Sequence, residues 1–114
     1  MAASNIALLT ISRTSTAAVA QYQPVLASGA VAVAAGNAVG FAQVAVAASG
    51  TLYPAVVAGT SKAIAGAAIA VGALVEVHTT VTKVVTRSAG VSIGRALTAA
   101  AADGDEIEVL IIPN

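Results

Sequence analysis

Ala73-Leu-Val-Glu-Val-His-Thr-Thr-Val-Thr-Lys-Val-Val-Thr-Arg-Ser-Ala89 decides the fold class. Together with residues 1–23 it is the longest run free of Gly and Pro, so an ordinary helix would fit here if anywhere. Nine of its 17 residues are Val or Thr. Their branched side chains lose rotamer freedom in a helix and suit a pleated surface. The run therefore reads as strands at 74–79 and 81–87, either a hairpin or one long bent strand. Its threonines give the ribbon a polar face suited to solvent or a sheet edge.

Working outward, the remaining 97 residues tempt a helical reading, because the chain holds 30 Ala and Ala is the best helix former. Spacing argues against it. Gly recurs at 29, 36, 40, 50, 59, 66, 72, 90, 94 and 104, and Pro at 24, 54 and 113. Short apolar runs between such breakers predict an all-β domain, a small barrel or sandwich. Strands are expected at 6–13, 24–26, 30–34, 39–47, 51–57, 91–97 and 106–112, with a weaker extended stretch at 17–23 anchored by Tyr22. Residues 63–70 are expected as a loop or one helical turn, and 98–102 as a short helical turn. Asp103-Gly-Asp105 is a strong turn signal into the closing strand.

Composition narrows the function. The 114 residues carry five cations and five carboxylates, a net charge of zero, which leaves no basic patch for nucleic acid. Without Cys, disulfides and thiolate metal sites are excluded. Residues 14–61 lack any formal charge, yet Gln, Asn, Ser, Gly and Pro interrupt them before a clean membrane span of about 20 residues can form. The N-terminus has no basic region ahead of its apolar run, so no signal peptide is expected. Val109-Leu-Ile-Ile112 is apolar on both strand faces. One face can meet the chain's own core, and the other needs cover from a second sheet or another subunit.

Candidate chemistry is sparse. Asp103, Asp105, Glu106 and Glu108 form one acidic run, but the alternating oxygen ligands and terminal Glu of a calcium loop are absent. His78 can share a strand face with Glu76, but no second His or Cys could complete a metal site. Gly90-Val-Ser92-Ile-Gly94 matches a nucleophile elbow as a string, without the helix that should follow it. Gly36-Asn-Ala-Val-Gly40 is no phosphate loop, since neither glycine-rich nucleotide-binding signature occurs. The reading is a non-enzyme with no cofactor.

The order of several small-residue motifs is more specific than any one of them. These are Ala20-Gln-Tyr22-Gln-Pro24-Val25, Ala38-Val-Gly40-Phe-Ala42-Gln43, Ala65-Gly66-Ala-Ala-Ile69, Gly72-Ala-Leu-Val75, Ile93-Gly94-Arg-Ala96-Leu97, the alanines 99–102, and Gly104-Asp105-Glu-Ile107-Glu-Val109-Leu110. From about residue 20 to 111 the chain resembles the small capsid decoration, or cement, proteins of tailed bacteriophages. It departs from them at 76–83, where a Gly- or Asn-containing turn is replaced by Glu-Val-His-Thr-Thr-Val-Thr-Lys.

The resemblance implies a β-rich structural protein without enzymatic activity. Such a protein commonly forms a homotrimer on the outer surface of the expanded head and locks neighbouring major capsid protein subunits together. It implies a virion component made in the host cytoplasm, whose reducing conditions suit a chain without Cys. No nucleic-acid or membrane partner is expected. Residues 17–114 would be the decoration domain. Residues 1–16 would be an arm pairing with a neighbouring subunit or the shell, or else a plain first strand. Interface candidates are Ile6, Leu8, Leu9 and Ile11 in that arm, with Tyr22, Tyr53, Leu110 and Ile112. The alternative is a self-assembling β-rich surface or fibre protein, its strand edges pairing end to end. A minor enzyme using His78 and Ser92 would require those side chains to converge.

Overall fold

The computed structural model describes residues 5–113. Eight antiparallel strands form one sheet: β1 (Ala7–Thr14), β2 (Pro24–Val25), β3 (Gly40–Ala42), β4 (Leu52–Ile64), β5 (Leu74–Val77), β6 (Val84–Thr86), β7 (Gly94–Ala96) and β8 (Glu106–Ile111). Their order is β2-β3-β4-β8-β7-β5-β6, with β1 added against β4. The sheet curls nearly into a barrel, and no helix occurs among the described residues. The all-β expectation holds, and the deciding stretch folds as the β5–β6 hairpin, Val75 opposite Thr86 and Val77 opposite Val84.

β4 organises the rest. Ala55 and Val56 pair with Ile11 and Thr10 of β1 and also with Ala42 and Phe41 of β3, so these neighbours lie on opposite edges. Beyond Gly59, β8 takes over, from Thr60 opposite Leu110 to Ile64 opposite Glu106. Register shifts in the β1–β4 ladder leave Leu8 and Val57 without partners. These bulges change which alternate residues face the main core, so Val56 before them and Ala63 after them both point into it. That core also takes Phe41, Ile69, Val75, Ile93, Ile107 and Val109. A smaller cluster of Val19, Val25, Ala42, Tyr53 and Ala55 lies under the first half of the chain.

The two halves repeat one another. Val19 and Val46 exchange backbone hydrogen bonds, as do Ile69 and Ala100. Tyr22 N–H donates to Ala42 O at 2.7 Å, and Gly72 N–H to Ala96 O at 2.7 Å. Gln43 donates to Pro54 O as Leu97 does to Glu108 O, and Gly50 to Ser15 O as Gly104 does to Ala65 O. Arg13 opposite Tyr53 corresponds to Ala63 opposite Ile107. The chain is therefore a tandem duplication in which β4 serves twice: its first part closes repeat one and its second part opens repeat two.

Several expectations need correction. Residues 30–34 form only an isolated bridge, Val25 with Val31, and 39–47 shrink to three residues in β3. β4 is longer than the expected 51–57 and absorbs Ala63 and Ile64. The helical turns offered for 63–70 and 98–102 do not form, because Ile69 and Ala100 satisfy each other's backbone across the sheet. Turn loss in the 76–83 segment is made good by His78, whose Nδ1 accepts the Thr80 N–H at 2.9 Å while its own N–H donates to Lys83 O.

Gly40 and Gly94 are equivalent in the two repeats, and both lie against a neighbouring strand. A methyl at Gly40 would overlap Val56 O, and one at Gly94 would overlap a Val109 methyl and crowd Leu110 O. Replacing Gly40 or Gly94 by Ala is expected to cost about 2–3 kcal/mol by overpacking. Gly50→Ala, open to solvent but at φ 82, should cost about 1 kcal/mol of backbone strain. Urea unfolding checks the order; equal costs at the three positions would refute the close-approach argument.

Candidate functional site

The polar side chains that could carry chemistry are used to shape their own loops. Glu76 is buried, and its Oε1 accepts the Ser88 N–H at 2.6 Å and the Gly90 N–H at 3.2 Å. Those backbone donors hold its carboxyl below the ordinary range, with burial opposing them and the Ser88 hydroxyl and Arg87 adding to them. His78 instead serves Thr80. Asp105 Oδ2 accepts the N–H groups of Ala101 and Ala102. Ser92 stands before β7 with its hydroxyl oxygen buried.

The acidic run disperses in the same way. Asp103 meets Lys83 Nζ at 2.6 Å, and that hydrogen bond lowers its pKa. Glu106 lies 3.9 Å from Lys62, and Glu108 Oε2 accepts the Thr60 hydroxyl at 2.8 Å. Among the described residues no group of three His, Asp or Glu could hold a metal ion. One shallow cleft of about 220 Å³ is lined by Ala38, Val39, Val57 and Pro113, with none of the polar candidates. Among those residues no helix is long and apolar enough to cross a membrane.

What the surface does offer is apolar side chains. On the N-terminal segment and β1, Leu8 is 78% exposed, Ile6 59% and Leu9 53%. Leu8 is the unpartnered residue of the bulge, which throws it outward. Ile11 turns back onto the smaller core cluster. Residues 7–14 pair in the chain's own sheet, so the segment from residue 7 is a first strand; residues 1–4 of the expected arm lie outside the described residues. Leu110 is exposed on β8, while Ile112 is half-buried and donates its N–H to Ile93 O.

Tyr53 corrects the sequence reading. It is 1% exposed, and its hydroxyl donates to Gly29 O at 2.6 Å, so it offers nothing to a partner. Burial pushes its phenol above the ordinary value, with Arg13 pulling modestly the other way. The sequence also missed Leu52, Val33 and Val71, all largely exposed. Leu52 could have been suspected, because it stands just after the Ser49-Gly50 turn, where a strand begins before its neighbours can cover it.

Tyr22 is partly exposed and sits at φ 64, in the left-handed region. Its counterpart in repeat two is Gly72, at φ 88. A side chain at this backbone position costs on the order of 1–2 kcal/mol. Its ring faces Lys62 Nζ at 5.9 Å from the centroid, a cation–π distance. Lys62 in turn offers its N–H to Asn5 Oδ1 at 2.6 Å, and Gln43 bonds Ser61 Oγ and Asn5. A polar strip thus staples the N-terminal segment over the joint between the repeats.

A family model described as phage cement protein matches residues 4–111. The crystal structure of the head fiber gp8.5 N base in bacteriophage phi29 superposes with a TM-score of 0.74 at 17% identity, covering 91% of this chain and 93% of that one. No curated protein matches.

Glu76 generates a pH prediction. Its folded pKa is depressed, so the stability it contributes is present above the unfolded carboxyl value, about 4.3, and is lost as pH falls through the lower folded value. Asp103 acts in the same direction from a more exposed position. Thermal melts should show a midpoint falling below about pH 5. Glu76→Gln should lower the midpoint at neutral pH and flatten the acid limb. An unchanged acid limb would refute the role of Glu76.

Proposed function

The chain belongs to the phage cement protein family, and from that premise we propose that it binds the outer surface of an expanded phage head and stabilises contacts between major capsid protein subunits. In this reading it acts as a homotrimer, made in the host cytoplasm and carried on the virion, without enzymatic activity. The observation that carries the reading is the division of labour among its side chains. Polar groups close loops, while Leu8, Leu9 and Leu110 on strands and Ile6 just before β1 are exposed. An enzyme would need the reverse, polar groups converging on a cleft. Exposed apolar residues of this kind mark protein interaction surfaces.

A self-assembling fibre component is the second reading. Its specific support is the likeness to the phi29 head fiber base, which extends over nine-tenths of both chains but rests on fold alone. The two readings separate on particles. Purified protein added to expanded heads that lack it should co-sediment with them and appear in cryo-EM maps as density over capsid subunit contacts. His78→Ala, Ser92→Ala and Asp105→Ala should still decorate heads wherever they fold. Unbounded filaments without head binding would favour the fibre reading. Loss of function in all three variants, with folding and decoration intact, would overturn the non-enzymatic role.

A further inference from the structure

We propose that the outer edge of β1 is a seam for a second copy of this chain, which adds an extended segment there by strand pairing. The proposal deepens the reading of a self-associating head protein by naming the surface and the mode of contact.

The edge follows from the hydrogen-bond pattern. Gln43 N–H donates to Pro54 O, so Pro54 and Val56 turn their backbone groups toward β3. Backbone direction alternates along a strand, so Tyr53 and Ala55 face β1, and their partners Arg13 and Ile11 face β4. Thr10 and Ser12 therefore present N–H and C=O away from the sheet. No strand of the described residues pairs with that side.

The duplication shows what fits this edge. In repeat two, Thr60 and Lys62 stand where Thr10 and Ser12 stand in repeat one. There the edge is covered by an extended piece of this same chain: Thr60 N–H donates to Ile6 O at 2.9 Å and Lys62 N–H to Asn5 Oδ1 at 2.6 Å. Residues 60–64 are accordingly buried or half-buried, whereas six of the eight β1 residues are exposed. The same backbone edge thus occurs twice, once closed by the chain's own residues and once without a paired strand. On the latter the Ser12 carbonyl accepts from Arg13 and Gly29 lies against Thr14, so the open stretch centres on Thr10 and the Ser12 N–H.

The side chains of the open edge suit a protein partner rather than water. Protective devices on a free edge are charges, prolines, bulges or a short strand; the bulge of β1 lies at Leu8, before the regular ladder from Thr10 to Thr14. β1 is eight residues long, has no proline, and carries Arg13 as its one charge. Arg13 is engaged, donating to Ser12 O and Ala27 O. Ile6, Leu8 and Leu9 add exposed apolar surface to the same stretch. Strand addition takes affinity from such main-chain bonds and specificity from alternate side chains.

Sedimentation velocity on the full chain tests the seam. The wild type is expected to self-associate. Thr10→Pro removes an N–H that makes no bond within the sheet, and Leu8→Lys puts a charge on the most exposed leucine. Each should weaken association about tenfold or more, with circular dichroism unchanged. If Thr10→Pro fails to fold, Leu8→Lys decides alone. A wild type that is monomeric at every concentration overturns the proposal, as do folded variants that associate normally. Variants that associate normally yet no longer bind heads would assign the edge to the capsid protein instead. Wild-type association through this edge without head binding would remove the capsid reading and leave the seam standing.

Discussion

The shared strand β4 is the constraint from which the remaining structure follows. Thirteen residues, Leu52–Ile64, supply the last strand of one repeat and the first strand of the next. A strand that serves two repeats must present its core-facing residues to each, and strict alternation cannot do so across an odd offset. The irregularities at 57–59 reset the alternation, so that Val56 and Ala63 reach one core. They also leave Leu8 unpaired. A device required for internal packing therefore produces the most exposed large apolar side chain among the described residues.

Small side chains are the second consequence. Alanines fill positions such as 42, 55, 63, 65 and 96 because the strands cross closely, and Gly40 and Gly94 mark where even a methyl is excluded. Burial of apolar area stabilises at roughly 25 cal/mol per Å², so alanine contributes little per residue. The protein compensates with backbone bonding, as seen in the paired bridges Val19 with Val46 and Ile69 with Ala100. A polar group without a backbone partner would be costly in such a core, which is why Tyr53, Gln23 and Thr98 each place a hydrogen bond while buried.

Much of the fold was legible in the sequence. β1, the 74–87 segment and β8 stood out through their branched and large aliphatic residues, although the sequence left open whether 74–87 is a hairpin or one bent strand. Residues 30–34 and 39–47 misled because an Ala and Val run has no polar contrast from which to read a period. The duplication was also legible, in Gly40-Phe-Ala42 followed by Gly50 and Gly94-Arg-Ala96 followed by Gly104, and in Ala17-Ala-Val-Ala20 beside Ala67-Ala-Ile-Ala70. Four added residues in the loops of the second half shift the trailing motifs and blur the period. At the surface, Ile6, Leu8 and Leu9 were readable from their density of large aliphatics. Tyr53 was not, since only its partner Gly29, 24 positions earlier, reveals it as a core residue.

Differences between the repeats carry the last step. Their backbones match, so side chains alone can give them separate roles. Every charged residue except Arg13 lies at or beyond Lys62, in the second repeat. Leu52 in the first corresponds to Glu106 in the second, Phe41 to Arg95, and Ser49 to Asp103. Charges keep a surface hydrated and discourage edge pairing. The second repeat mixes charges with exposed apolar residues such as Val71 and Leu110. The first has a single charge, Arg13, a strand edge without a paired neighbour among the described residues, and a tyrosine held in a backbone conformation where its counterpart is glycine. A residue kept against its own backbone preference points to a use for its side chain, here the contact of the Tyr22 ring with Lys62 across the joint between the repeats. One fold, used twice, thus carries two different surfaces, the difference resting on side chains rather than on backbone.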